Sequence, residues 1–131
     1  MNDSNDSHGA PIPLTPAMFH ILLVLIGGER HGYAIMREVE TATGGSFHLG
    51  PGTLYSSIRQ LLALGLIAAA DERIDPSLDD ERRKYYRITE RGRWAAHMEA
   101  ERLAQLVRLI QERVQLAAPS PLPRLELGGQ T

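Results

Sequence analysis

The first strongly apolar segment of the chain, Met18 to Ile26, predicts a helix that is buried on more than one side. A Thr15-Pro16 pair in front of it supplies a hydroxyl cap and a proline at the first helical position, and Gly27 suits its end. One small domain offers limited cover to such a helix, so we expect a second copy of the chain to supply part of it. The residues assigned to that dimer contact are Phe19, Leu22, Leu23 and Ile26.

Apolar residues at helical spacing indicate two further helices. They span about residues 32–43 and 51–64, and Gly65 is placed to end the later one in a left-handed conformation. The inner face of the earlier helix is assigned Ile35, Val39 and Ala42. The core side of the later helix is assigned Leu54, Ile58, Leu61 and Leu62.

A change from helical spacing to period-two alternation follows the third helix. In "RRKYYRIT" (82–89), Lys84, Tyr86 and Ile88 alternate with Tyr85, Arg87 and Thr89. The segment "LIAAADERI" (66–74) precedes it, and Asp75-Pro76 opens an acidic turn between the two. Two such segments joined by a turn predict a β-hairpin.

The last long segment, from about Glu90 to Leu116, predicts a helix that begins at a Thr89 cap and spans roughly 40 Å. Its apolar positions recur at spacings of 4, 3, 4, 3 and 4, which is the two-position heptad seam of a coiled coil. A helix lying back on its own domain would bury Trp94 and Met98 but leaves the rest of the seam unexplained, so a homodimer is predicted. The seam consists of Ala96, Ala100, Leu103, Val107, Ile110 and Val114.

Composition narrows the class of protein. The 131 residues include no cysteine, which excludes disulfides and thiolate zinc sites. No apolar stretch approaches the roughly 20 residues of a membrane span, and the N-terminus lacks the pattern of a signal peptide, so a cytoplasmic protein without membrane contact is expected. The five histidines show no ligand spacing, and no nucleophile motif is present. No metal, no cofactor and no enzymatic activity are therefore predicted.

The outer face of the third helix is small and hydrogen-bonding near its N-terminus. Small residues let a helix enter the major groove of DNA, hydroxyls can bond phosphates or base edges, and arginine or glutamine one turn on can read a base. The same pattern also fits an ordinary amphipathic helix with a solvent face. The residues assigned to double-stranded DNA are Gly52, Thr53, Tyr55, Ser56, Arg59 and Gln60.

The charge distribution says more than the net charge of −2. Six basic residues against one acid lie between positions 82 and 93, and Arg82, Arg83 and Lys84 are assigned to phosphate contacts. The alternative for these three is local pairing with the acidic residues at 79–81. The net charge and the acidic turn also favour a second interpretation, a winged-helix adaptor that binds another protein and not DNA.

The order of elements predicts a fold that is mainly α with a small β-hairpin (α+β): a winged helix-turn-helix with a long C-terminal dimerisation helix. The predicted organisation has four parts. They are a disordered N-terminal tail (1–13), a winged helix-turn-helix DNA-binding domain (14–89), a C-terminal dimerisation helix (90–117) and a flexible tail containing Pro and Gly (118–131).

Three motifs in this order resemble a PadR-type transcriptional regulator: "HGYAI" (31–35), "GTLYSSIRQLLALGLI" (52–67) and "RRKYYRITERG" (82–92). The resemblance implies a homodimeric winged-helix protein, usually a repressor, that binds pseudo-palindromic operator DNA. It places His31 and Tyr33 near the phosphate backbone. Many members carry proline after the tyrosine of the recognition helix, where this chain has Ser56, so their base preference is not transferred.

Some members of that family bind flat aromatic compounds between their C-terminal helices, through a tryptophan well inside the helix. The single tryptophan of this chain, Trp94, lies at the start of that helix, so we expect it to pack against the wing or the core. A small-molecule effector is left open by the sequence but is not indicated.

Overall fold

The computed structural model describes residues 11–77 and 82–116 of the chain. Within these residues it contains four helices and one three-stranded antiparallel sheet. The tails predicted at 1–13 and 118–131 fall largely or wholly outside the described residues, as do positions 78–81 of the acidic turn. The chain divides into a compact unit that ends at Ala100 and a second unit that starts at Glu101. The domain boundaries given above stay predictions.

Helix α1 (Pro16–Ile26) begins and ends where the sequence predicts. The Thr15 hydroxyl accepts a hydrogen bond from the Met18 amide at 3.1 Å, which satisfies one of the open donors of the first turn. Gly28 follows the helix with a φ of 141°, a conformation that other residues rarely adopt.

The apolar side chains of α1 do not all face the same way. Ile21, Leu22 and Leu25 are fully buried in the core of their own chain, whereas Leu23 and Ile26 are exposed. The assignment of Leu22 to a dimer contact is therefore wrong, because its side chain is already enclosed. The error has a simple cause: a helix that is apolar on nearly every side has no polar stripe to show which face points inward.

Helix α2 (Gly32–Ala42) buries Ile35 and Val39 as predicted. Ala42 is exposed, which corrects its assignment to the inner face. It lies in the last turn, beside the open groove between α1 and α2, and the chain turns away directly afterwards. There the Thr43 hydroxyl donates a hydrogen bond to the Val39 carbonyl oxygen at 2.8 Å.

Helix α3 (Pro51–Ala63) is also rotated slightly from the predicted phase. Leu62 is 37% exposed, although it was assigned to the core. Around the helix axis Leu62 lies about 80° from Leu54, whereas Ser57 lies about 60° away on the other side, so the small polar Ser57 takes the buried position. Gly65 has a φ of 74°, as its predicted left-handed role requires. The buried residues of this helix are Leu54, Ser57, Ile58 and Leu61.

The sheet has one strand more than the predicted hairpin. Its strands are β1 (Arg30–His31), β2 (Ile67–Ile74) and β3 (Arg82–Ile88), in the order β1-β3-β2. All pairings are antiparallel, and Tyr86 of the central strand lies opposite both Arg30 and Ala69. A strand of two residues carries no alternation of its own, so β1 had no signal in the sequence.

Helix α4 (Glu90–Leu116) starts at the predicted threonine cap. The Thr89 hydroxyl accepts from the Gly92 amide at 3.0 Å and donates to the Gly65 carbonyl oxygen at 2.7 Å. One side chain thus joins the start of α4 to the end of α3. At this junction Gly92 packs directly against the backbone of Leu66.

The first turns of α4 belong to the core of the compact unit. Ala95 and Ala96 are buried, and Trp94 is partly buried against the core cluster, as predicted for the tryptophan. Ala96 is therefore wrongly assigned to the dimer seam. A heptad pattern does not show where a helix stops packing on its own chain. The sequence therefore could not separate residues that pack in the core from residues left for a second chain.

The substitution Gly92→Ala is expected to lower the free energy of unfolding by about 3 kcal/mol, measured by urea denaturation. A Cβ there would overlap with the Leu66 carbonyl oxygen and lie 2.8 Å from Ile88 Cγ1, so backbone and core would both have to move. Gly52→Ala is the control, because its Cβ would enter open space at the start of α3. Equal losses in the two variants would contradict this account.

Candidate nucleic-acid interface

A polar pocket of about 200 Å³ lies where α2, α3 and the sheet meet. The start of α2, the first turn of α3 and the beginning of β3 each contribute one wall. The pocket joins most of the residues predicted to contact the DNA backbone, although they come from three separate stretches of sequence. Its lining residues are His31, Gly32, Tyr33, Tyr55, Arg82, Arg83, Lys84 and Tyr86.

The close packing of Tyr55 on Gly32 joins α3 to α2 at this pocket. A Cβ at position 32 would lie 2.6 Å from the Tyr55 hydroxyl oxygen, so a larger residue there would displace the tyrosine from this position. The Tyr55 ring remains 45% exposed in this position. The glycine of "HGYAI" and the tyrosine of "GTLY" are therefore two halves of one contact.

A second exposed tyrosine, Tyr33, stands at the opening of the same pocket. The Arg37 guanidinium lies 5.7 Å from the centroid of its ring, one helical turn further along α2. Arg37 was not among the predicted site residues. Its i,i+4 spacing from Tyr33 is the signal in the sequence that would have found it.

His31 has a different role from the one predicted. Its side chain is only 3% exposed, which makes it a wall of the pocket and not a group that reaches out to a phosphate. Nδ1 accepts a hydrogen bond from the Ala34 amide at 3.2 Å, so the imidazole caps α2. Nε2 lies 2.8 Å from Oδ2 of Asp75. The assignment of His31 to a direct DNA contact is therefore corrected.

Asp75, predicted only as a turn residue, is the partner that the sequence did not reveal. Its carboxylate also accepts hydrogen bonds from the Ser77 amide at 2.9 Å and the Ser77 hydroxyl at 2.7 Å. The bond to His31, followed by those to Ser77, lowers the pKa of Asp75 from 3.8 to about 2. Forty-four residues separate Asp75 from His31, so no local pattern connects them.

The basic residues at the start of β3 are not equivalent. Lys84 is exposed and Arg83 is half-buried. Arg82 is exposed but donates to the Glu72 carbonyl oxygen at 2.9 Å, across the hairpin. The alternative of pairing with residues 79–81 concerns positions outside the described part of the chain. Tyr86 lines the pocket below them, and burial raises the pKa of its hydroxyl.

The outer face of α3 carries the remaining predicted DNA contacts. Gly52, Thr53, Arg59 and Gln60 are exposed there, and Ser56 is half-buried with its hydroxyl 3.2 Å from the Thr53 carbonyl oxygen. Gly50 precedes the helix and offers no side-chain acceptor to its first amides. A second hollow, of about 360 Å³, lies beside this face and joins Thr53, Ser56 and Gln60 to the start of α1.

Apolar side chains are exposed in both units of the chain. In the compact unit, Leu23 and Ile26 of α1 are 44% and 41% exposed, and Phe19 is partly buried. In the second unit, four predicted seam residues are exposed, namely Leu103, Val107, Ile110 and Val114. Leu106 and Leu109 are exposed there as well, and a strict two-position seam does not include them. Ala100, at the end of the compact unit, is exposed too.

Metal-binding clusters and membrane-spanning helices are both absent from residues 11–77 and 82–116. No group of three or more His, Asp and Glu side chains in these segments is arranged to hold a metal ion. None of the helices among the same residues is long and apolar enough to cross a membrane.

Comparison with known proteins agrees with this geometry. The model of the PadR-like family of transcriptional regulators matches residues 21–98, which is more than half of the chain. The chain belongs to this family. The resemblance drawn from the three motifs is thereby confirmed, and this PadR-like protein is a transcriptional regulator by family.

Solved structures show the same fold as this PadR-like chain. A transcriptional regulator from Clostridium thermocellum is 24% identical, with a TM-score of 0.63 over 86% of this chain and 95% of its own. A PadR-like regulator from Bacillus cereus is 17% identical, with a TM-score of 0.62 over 75% of this chain and 90% of its own. The winged-helix fold with a long C-terminal helix is therefore confirmed.

A relative in sequence is the uncharacterised protein X of Lysinibacillus sphaericus. It is 34% identical over 73 residues, which are 56% of this chain and 64% of the relative. This chain thus spans less than two thirds of that relative's length.

Because the folded-state pKa of Asp75 lies below its ordinary value, its contribution to stability is present above about pH 4 and lost as the pH falls towards 2. We expect Asp75→Asn to be less stable than the wild type at pH 6, and the gap to shrink between pH 4 and pH 2. Urea unfolding at each pH measures the gap. Ser77→Ala removes one of the three hydrogen bonds and should show a smaller effect of the same sign. A gap that stays constant over this range would contradict the assignment.

Proposed function

We propose that this PadR-like protein binds double-stranded DNA as a homodimer and represses transcription at a pseudo-palindromic operator. The observation that carries the proposal is the polar pocket at the junction of α2, α3 and the sheet. It sets exposed tyrosines and basic side chains beside the exposed outer face of α3. Phosphate and base contacts would then be made by adjoining surfaces of one unit.

In this proposal α3 enters the major groove. Its first turn has small side chains and amides without a side-chain cap, which favours close approach to a phosphate. Arg59 and Gln60 lie about two turns further on, where a guanidinium can pair with guanine or an amide with adenine. Thr53 and Ser56 are the hydroxyl contacts, with the Ser56 hydroxyl partly engaged by the helix backbone.

The positioning contacts lie around the pocket. Tyr33 and Tyr55 offer hydroxyls, and Arg82 and Lys84 offer positive charge at the start of β3. Arg83 is half-buried and lines the pocket on the same side as Arg82 and Lys84. The His31 ring is buried, so in this proposal it supports these positioning side chains and does not itself contact DNA. Together they would fix the register of α3 in the groove without reading sequence.

The dimer is proposed to form through the apolar residues that stay exposed on α1 and α4. Those on α1 are Leu23 and Ile26, with Phe19 beside them, and those on α4 are Ala100, Leu103, Val107, Ile110 and Val114. A heptad seam is complementary to a second copy of itself, so a two-fold pair is the simplest arrangement. The two recognition helices of such a pair would meet half-sites one turn of DNA apart, about 34–36 Å.

The net charge of −2 favours the rival function of a protein-binding adaptor. Salt dependence separates the two functions. A DNA binder with about six phosphate contacts loses roughly a thousandfold in affinity between 50 and 200 mM salt. Rounds of selection from random-sequence duplexes would first identify a preferred site, and fluorescence anisotropy would then measure affinity at each salt concentration. Failure to enrich any sequence, or a complex insensitive to salt, would overturn the repressor proposal.

Two substitutions test the division between reading and positioning. Arg59→Ala is expected to relax the preference at one position of each half-site, at a cost of about 10- to 100-fold for the preferred base. Lys84→Ala is expected to weaken all sequences about equally and to reduce the salt slope by about one. Binding to a panel of single-base variants measures both effects. Uniform losses in both variants would show that Arg59 does not read a base.

The dimer contact is tested by placing charge on the seam. Leu103→Glu combined with Ile110→Glu should give monomers, because two carboxylates would face two more across the seam without partners. Light scattering after size exclusion measures the mass. Gln105→Glu with Gln115→Glu adds the same charge outside the seam and should leave the dimer intact. A seam variant that keeps the mass of two chains would refute the contact.

A further inference from the structure

The bond between His31 and Asp75 joins two elements that both border the candidate DNA surface. His31 ends β1 and caps α2, whereas Asp75 directly follows β2 at the end of the wing hairpin. Nε2 of the imidazole and Oδ2 of the carboxylate are 2.8 Å apart, and the imidazole is almost completely buried. No other role of His31 described above requires this long-range bond.

We propose that His31 and Asp75 form a latch that fixes the wing against the start of α2 and so positions Arg82 and Lys84 for the DNA backbone. The latch rests on the proposed DNA-binding function, to which it adds two positioning residues. Neither residue needs to touch DNA. His31, Arg82 and Lys84 line the same pocket from two of its walls, so a shift of the wing would change the spacing of the charges from α3.

The hydrogen bonds fix the position of the proton on the imidazole. Because Nδ1 accepts from the Ala34 amide, the proton of the neutral ring is on Nε2, where it is donated to Asp75. On the carboxylate, Oδ2 accepts from His31 while Oδ1 accepts from both the amide and the hydroxyl of Ser77. Both ring nitrogens of His31 and both carboxylate oxygens of Asp75 therefore have hydrogen-bond partners. These bonds hold the ring, the helix cap and the turn in one arrangement.

The surroundings of the latch tie it to both neighbouring strands. The Tyr85 ring of β3 meets the imidazole edge-on at 5.2 Å, and the Arg73 guanidinium of β2 lies 4.0 Å from the Tyr85 centroid. Arg73 is itself paired with Glu29, just before β1. A movement of Asp75 would therefore be transmitted to the strand that carries Arg82 and Lys84.

The sign of the effect of Asp75→Asn distinguishes this proposal from simple charge counting. Removing an acidic group beside a phosphate-binding surface should strengthen DNA binding if charge alone matters. The latch predicts the reverse, about tenfold weaker binding, because a released wing must be ordered when DNA binds. The salt slope should stay unchanged, since Arg82 and Lys84 still reach the phosphates in the complex. An asparagine cannot replace the aspartate fully, since one side of its amide donates where Asp75 accepts.

Matched variants complete the affinity test. Asp71→Asn removes the same charge from an exposed position of β2 and should bind DNA as the wild type does or slightly more tightly. His31→Asn keeps a side chain suited to capping α2 but cannot reach Asp75. It should weaken binding as Asp75→Asn does, and the double variant should be no weaker than either single one. Additive losses, or an Asp75→Asn variant that binds as tightly as Asp71→Asn, would overturn the latch.

A measurement without DNA separates failure of the latch from failure of the proposed function. Long-range ¹H–¹⁵N spectra of the free protein should show the His31 proton on Nε2, and Asp75→Asn should shift the amide signals of residues 82–84. Asp71→Asn, which neighbours the Glu72–Lys84 pair, should leave the signals of residues 82 and 83 unchanged. If these signatures appear but no duplex binds, the wing contact stands and the DNA-binding function fails. If DNA binds normally while the signals at 82–84 do not move in Asp75→Asn, the latch fails alone.

Discussion

Burial of α1 is the constraint on which the compact unit depends. This helix packs against α2, α3 and β3, so it is the common neighbour of the helix-turn-helix and of the wing. Its fully buried side chains, Ile21 and Leu22, each contribute about 1.5–3 kcal/mol through the hydrophobic effect. With three elements packed on it, α1 has only one side left for solvent. That side carries Leu23 and Ile26, and apolar residues left exposed on such a helix are the ones a second chain would cover.

Because α1 packs on the apolar faces of its neighbours, the outer surface of the compact unit can carry polar residues. The apolar side of α3 is committed to α1 and the sheet, while its other side has small and polar residues. Tyr55 lies between the two sides, and its ring occupies the space that Gly32 leaves by having no side chain. Ser56 follows it, with its hydroxyl 3.2 Å from the Thr53 carbonyl oxygen. The fold thus fixes the pose of the helix, and in the proposed function any base preference would depend on the side chains of its outer face.

The sequence predicted the helices, their caps and the hairpin because these depend on neighbours within a few residues. The Thr15 and Thr89 caps and the left-handed Gly65 are local chemistry, and each is present in the structure. The rotational phase of each helix and the packing partner of each buried side chain were harder to predict. The burial of Ser57 in place of Leu62, and of Leu22 and Ala96 within their own chain, depends on which elements pack together in three dimensions.

The same limit explains the change in the role of His31. The resemblance of the sequence motifs placed His31 near the phosphate backbone, at the start of the helix before the recognition helix. Its actual partner, Asp75, is 44 residues away and was interpreted only as part of a turn. Long-range pairs of this kind leave no periodic trace, so they are found only when the fold brings their elements together.

Net charge is a weak guide to the partner of this protein because its charges are separated in space. Glu29 and Glu38 are engaged with Arg73 and Arg30, and Asp75 is committed to His31 and Ser77. These acids are paired within the fold, whereas Lys84, Arg59 and the tyrosines lie on exposed surface around the pocket and α3. A phosphate approaching that surface is governed by the nearby charges, since the Debye length at physiological salt is only about 8 Å. An overall charge of −2 is therefore compatible with a locally basic face, and in the proposed latch Asp75 contributes to that face through the position of the wing.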